Sequence, residues 1–199
     1  MLKLYSMKKA RKIISDRSDL IDSICAFYCL PSACLKAIML MEIPEIDLMD
    51  LLADASVRFN WLCYSFTQRY DPERHTRNPL RKFDSSTGYG QIFSRVAIEA
   101  IQFAENRGIP VFAGVSGTLS PTNPEDLRQV WLRLNRDPVF NLSCSALNLL
   151  HAADQMTGRI DFEHYTPEEM KLIFTRYNGN LKQISPYGEK AYQYYLNCL

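Results

Sequence analysis

Apolar residues recur every three or four positions along most of this chain, the spacing of one face of an α-helix. Residues 2–15 form a basic amphipathic segment, with Lys3, Lys8, Lys9, Arg11 and Lys12 around Leu4, Ile13 and Ile14, and the basic side reads as a solvated helix face. A second helix is predicted over 17–29. Pro31 suits the first turn of a third, which Pro44 closes. The longest pattern runs over 46–69, with Leu48, Leu51, Leu52, Ala55, Phe59, Leu62, Cys63 and Phe66 at three-to-four spacing. Further helices are predicted over 94–106, 125–134, 138–156, 167–176 and 187–197, the last carrying Tyr187, Tyr192, Tyr194 and Tyr195. Prolines, glycines and charges make loops of 70–83 and 108–124. Without a repeat, a low-complexity tract or a linker, the pattern describes one mainly α domain.

Composition narrows the function classes. A chain of 199 residues, 47% hydrophobic and 23% charged, is ordinary for a globular domain with a substantial core. Its formal charge of +1 argues against a dedicated nucleic-acid binder. No apolar run reaches the roughly 20 residues of a membrane-spanning helix. The basic start is not followed by the apolar core of a signal peptide, so the expected location is the cytoplasm unless another system delivers the chain to a cell wall. The cysteines at 25, 29, 34, 63, 144 and 198 form no C-x-x-C pair and sit among apolar neighbours, as buried free thiols do. Cys25 and Cys29 are four apart, on one face of the second helix. "AGVSGTL" lacks the second glycine of a nucleophile elbow, the three histidines are scattered, and no phosphate-binding loop occurs. No metal or cofactor is expected, and carboxylate chemistry remains.

One carboxylate stands out. In "LKAIMLMEIPEID" every residue between Ala33 and Ile43 is apolar except Lys36 and Glu42. Glu42 ends the helix, where the negative end of the dipole disfavours its ionised form, and apolar surroundings act in the same direction. Both effects raise its pKa, as a general acid for a glycosidic oxygen requires. The alternative is a carboxylate that simply reaches solvent from a frayed last turn.

Three further segments extend the pattern: "STGYGQIF" at 86–93, "RDPVFNLSCSALNLLHAAD" at 136–154, and "FTRYNGN" at 174–180 with "YGEKAYQYY" after it. With "LKAIMLME" and in this order, they resemble the lysozyme-like superfamily of lytic transglycosylases and goose-type lysozymes over roughly residues 30–197. The resemblance implies a lysozyme-like catalytic domain at 30–199, with residues 1–29 as a helical extension packed on it. It also implies cleavage of the MurNAc-GlcNAc bond in peptidoglycan glycan strands, with Glu42 as acid. Gly88, Tyr89 and Gln91 would shape the glycan cleft. Tyr177 would hold the Glu42 rotamer, and Asn178 would contact substrate.

Read as residues, Gly88 and Gly90 allow a sharp turn and close backbone approach to a sugar, or simply a tight turn. Gln91 suits sugar hydroxyls or braces the turn, and Asn178-Gly179 suits a helix cap. Asp84 matches the aspartate that goose-type lysozymes carry before the glycine turn, so it is the candidate base, or an Asx-turn residue. Without a base, the resemblance implies attack by the sugar's own C6 hydroxyl and an anhydro product. Arg69, Arg74, His75, Arg77, Arg81 and Lys82 form a basic stretch that can steer anionic polymer or lie solvated. Two departures are plain: Ile43 replaces the family's serine, and Arg176 replaces alanine. They motivate a rival, a non-catalytic glycan-binding or protein-interaction member of the fold. A second rival is an unrelated helical interaction module, with the tyrosine-rich C-terminus as its surface.

Overall fold

The computed structural model describes residues 3–70, 82–115, 117–179 and 181–199. Among them run nine α-helices: α1 (Met7–Ser15), α2 (Ser18–Phe27), α3 (Ser32–Glu42), α4 (Leu48–Thr67), α5 (Ser94–Asn106), α6 (Pro124–Arg136), α7 (Pro138–Thr157), α8 (Pro167–Asn178) and α9 (Pro186–Leu196). A single 3-10 turn at Ile43–Glu45 follows α3, and the described residues contain isolated bridges but no strand. The protein is mainly α-helical, and every predicted helix is present.

Local chemistry sets the boundaries. Asp137 accepts from the N–H groups of Val139 and Phe140, and Pro138 occupies the first turn of α7, where its missing N–H costs nothing. Asn123-Pro124 and Ser185-Pro186 start α6 and α9 in the same way. Asp47 with Asp50, and Thr166 with Glu169, form capping boxes at α4 and α8.

The core gathers on α7, whose residues 140–150 are all buried, including Asn141, Ser143, Ser145 and Asn148. A helix apolar on nearly every side belongs in the interior, and α7 packs on α2, α3, α5, α6 and α8. α1 and α2 join this core through Ala10, Ile13, Ile21, Ile24 and Cys25. Tyr28 follows α2 and ties it inward: its hydroxyl lies 2.9 Å from the Ser143 hydroxyl and accepts from the Phe112 N–H at 2.8 Å. No described helix is long and apolar enough to cross a membrane.

α4 departs from what its periodicity would ordinarily mean. An apolar stripe on a surface helix normally faces the core, yet Leu48, Leu51, Leu52, Ala55, Phe59, Leu62, Cys63 and Phe66 are all exposed. The inward face is instead Val57, Trp61 and Tyr64, with Asp54 beside them. Trp61 packs in an aromatic cluster with Tyr64, Tyr70 and Phe83. The Asp54 carboxylate accepts from Ser85 (2.8 Å), Thr87 (3.0 Å) and Asn135 (2.9 Å). An indole and a carboxylate with three donors hold that face inward, and the stripe is left outside.

The thiols are also less uniform than expected. Cys25, Cys34 and Cys144 are buried, whereas Cys29 and Cys63 are exposed and Cys198 is half-buried; all six are free. α2 ends at Phe27 and Cys29 lies beyond it in the left-handed region (φ 52°), so Cys25 and Cys29 do not share a helix face.

Candidate functional site

α3 is buried along almost its whole length, from Ala33 to Met41 apart from Lys36, and delivers Glu42 as its last residue. Ile43 and Pro44, both buried, turn the chain away at once. Glu42 is therefore held between apolar packing and an open cleft rather than on a frayed end. Burial pushes its carboxyl up to about 7, against a hydrogen bond from the Tyr187 hydroxyl; Glu45 and Asp50 add to the upward shift. The negative end of α3 works in the same direction.

The cleft is a cavity of about 350 Å³ lined by Glu42, Gln91, Asn148, His151, Tyr177 and Asn178, among others. Residues from three segments remote in the chain line it. Its middle wall is the turn 87–92, closed by paired N–H···O bonds between Thr87 and Ile92 (3.2 and 3.3 Å). Asn141 on α7 fastens this turn: its Oδ1 accepts from the Gly90 N–H at 3.0 Å, and its Nδ2 donates to the Thr87 and Leu134 carbonyls at 2.9 and 3.3 Å.

The glycines serve that docking. Gly88 has φ 73°, and a Cβ there would lie 2.2 Å from Asn141 Nδ2; at Gly90 it would lie 1.9 Å from Ser145 Oγ. The close approach they permit here is to α7. Gln91, itself at φ 44°, donates from Nε2 to the Gly88 carbonyl at 2.8 Å and accepts from the Ser86 hydroxyl at 3.2 Å. Its amide braces the turn while lining the cleft.

Tyr177 is not the partner of Glu42. Its buried hydroxyl donates to the Gly90 carbonyl at 2.8 Å, and burial raises its pKa. The residue bound to Glu42 is Tyr187, at the start of α9. α9 comes close to α8 because Gly188 has no side chain: a Cβ there would lie 2.4 Å from the Lys171 carbonyl oxygen. The signal available in the sequence was "SPYG", a capping serine, a first-turn proline and a glycine, which together aim the tyrosine between them.

Because a hydroxyl donated to Glu42 favours its charged form, Tyr187→Phe is expected to raise the Glu42 pKa further. The alkaline limb of any activity that needs the protonated acid then shifts to higher pH. Tyr177→Phe leaves that limb in place, and pH–rate profiles of the two variants separate them.

No family model, curated protein or solved structure matches this chain. The remaining expected site residues are placed by geometry alone. Gly88 and Tyr89 line a second cavity of about 220 Å³, together with Tyr5, Asp50 and Asn135, while Glu42 lies in the first; Gln91 borders both. The Tyr89 ring is covered by the Arg17 guanidinium, 4.6 Å from its centroid. Asn178 is exposed at the rim, and Gly179 is in extended backbone, so the pair does not form a left-handed helix cap.

Asp84 does not line the cleft with Glu42. It borders a different cavity and accepts from the N–H groups of Ser94 (3.0 Å) and Arg95 (3.3 Å) at the start of α5. Burial pushes its carboxyl up to about 6, while the N–H groups of Ser94, Arg95 and Ser85 and the Ser94 hydroxyl pull the other way. This is a cap supplied from ten residues upstream, away from the cavity that Glu42 lines. Asp84→Ala is expected to destabilise the fold by about 1–2 kcal/mol in denaturant titrations, the usual cost of a lost cap. Any activity that depends on Glu42 should be unchanged per folded molecule.

The second carboxylate bordering the cleft is Glu99 on α5, near Arg95 (3.8 Å). His151, also in the wall, is held below its ordinary pKa by burial and by Arg176, and stacks on Phe103. Arg176 donates to Gln155 Oε1 and the Gly179 carbonyl, so the guanidinium that departs from the resembled pattern is part of the rim. Of the basic stretch, Arg74, His75, Arg77 and Arg81 lie outside the described residues.

Proposed function

We propose that this protein is a divergent lysozyme-like glycosidase that cleaves the glycan strands of peptidoglycan, with Glu42 as general acid. The observation that carries the reading is the Glu42 carboxyl group, neutral up to about pH 7, at the end of a buried helix in a cleft that also presents amide side chains. Such a group can protonate a glycosidic oxygen at neutral pH. Gln91, Asn148 and Asn178 bring amides to the same cleft, suited to hydroxyl and acetamido groups.

The non-hydrolytic route is the favoured form of the reaction. Asp84 is engaged in capping α5, and no step of this route needs a second carboxylate. Glu42 gives its proton to the leaving oxygen as the C1–O bond breaks. The C6 hydroxyl of the same sugar then bonds to C1 and returns its proton to Glu42.

Mass spectrometry of products from purified peptidoglycan tests this reading. Anhydro-muramic ends are expected. Reducing muramic ends would replace the route with hydrolysis and direct attention to Glu99. Absence of any product across several wall types would remove the glycosidase reading in favour of binding without cleavage.

A further inference from the structure

The exposed face of α4 has an order that a merely solvated face would not need. Leu48, Leu52, Ala55, Phe59, Leu62 and Phe66 are separated by 4, 3, 4, 3 and 4 residues, the spacing of a coiled-coil seam. Every one is exposed; Phe59 and Phe66 present 63% and 82% of their surface to solvent. With Met49 and Leu51 beside them, these side chains expose on the order of 700 Å² of apolar surface, against roughly 800 Å² per partner in a standard stable interface. An apolar patch of that size on a surface helix marks an interaction site.

We infer that α4 pairs antiparallel with α4 of a second copy of this chain, making the protein a two-fold symmetric dimer. The spacing reads the same in both directions, so one copy turned end for end matches the other without a gap. It places Leu48 opposite Phe66, Leu52 opposite Leu62 and Ala55 opposite Phe59, with the two-fold axis beside position 57. The smallest residue of the seam thus meets a large one, as interdigitating layers require.

Charge does not oppose the pairing. The charged residues of α4, Asp50, Asp54 and Arg58, all lie off the seam, so the antiparallel register sets no charged side chain into it. Asp50 and Asp54 are already engaged at the helix start and with Ser85, Thr87 and Asn135, and Arg58 donates to Asn135. The helix dipoles are antiparallel. A lipid surface is a poorer occupant, because helices that lie on anionic bilayers carry lysines and arginines along the polar face, and α4 has one arginine and no lysine.

The dimer is independent of the glycosidase reading and is tested on the full chain by sedimentation velocity and light scattering over a range of concentrations. The wild type is expected to be a dimer at micromolar concentration. Leu52→Glu is expected to weaken association by about a hundredfold or more, with unchanged helical content by circular dichroism, since the side chain is exposed. Leu52→Glu combined with Leu62→Lys should recover much of the loss, because only the antiparallel register sets position 52 of one copy against position 62 of the other. A wild type that stays monomeric overturns the inference, whether or not it binds lipid vesicles. So does a Leu52→Glu protein that dimerises as well as wild type. A double variant no better than the single overturns the antiparallel register.

Discussion

Glu42→Gln is expected to lower glycan cleavage by about a thousandfold, the range associated with losing a general acid, while leaving the protein folded and more stable near neutral pH. The two effects share a cause. The native fold holds the Glu42 carboxyl protonated up to about 7, while its ordinary value is 4.5. Between those values the folded chain keeps a proton that the unfolded chain has released, so native stability falls as pH rises through that window. At about 1.4 kcal/mol per unit, ionising this group in the native state costs up to about 3 kcal/mol by pH 8. Glutamine keeps the shape and accepts the Tyr187 hydroxyl without that cost. Thermal denaturation at pH 4 and pH 8 measures it: parity with wild type at pH 4, and a higher Tm for Glu42→Gln at pH 8. Retained activity sinks the acid assignment, and equal Tm differences at both pH values remove the proton-linked strain.

The second large effect concerns the turn that walls the cleft. Gly88→Ala is expected to destabilise the protein by about 3 kcal/mol, combining a left-handed residue with a Cβ and overpacking. That Cβ would displace Asn141, whose amide holds Thr87, Gly90 and Leu134 together. Gly158→Ala is the control. Its φ of 72° is nearly the same, but no atom lies within 4 Å of the added methyl group. It should therefore cost only about 1 kcal/mol. Urea titration of both variants separates the effect of conformation from that of contact. Similar losses would mean that the Asn141 clamp adjusts freely.

The parts of this molecule legible in the sequence are those set by local chemistry. Helix starts at Asn123-Pro124, Asp137-Pro138 and Ser185-Pro186 follow from capping side chains and proline, which act within one turn. The upward shift of Glu42 was legible for the same reason: it needs only a helix end and apolar neighbours. What local chemistry does not set is which of several similar groups meets another across space. Tyr177 and Tyr187 are both tyrosines near the right helix ends, but the depth of the α8–α9 contact at Gly188 decides which hydroxyl reaches Glu42. Asp84 stood at a plausible distance before the glycine turn, yet the start of α5 lies nearer to it than the cleft does. The periodicity of α4 identified a coherent face and left its orientation undetermined, because the Asp54 network on the opposite side depends on residues 85, 87 and 135.

The hydrogen bond between Tyr187 and Glu42 also joins the interior helix α3 to α9. α3 is interior and exchanges its amide protons only when much of the molecule opens. α9 packs closely on α8 and α3, although within it only Gly188 and Ala191 are buried. When α9 lifts, Glu42 meets water and regains an ordinary affinity for protons, so each opening between about pH 4.5 and 7 releases one. Opening of the C-terminal helix thus becomes about tenfold more frequent per unit of rising pH across that range. The carboxyl group that lines the cleft thus also ties the lifting of α9 to pH.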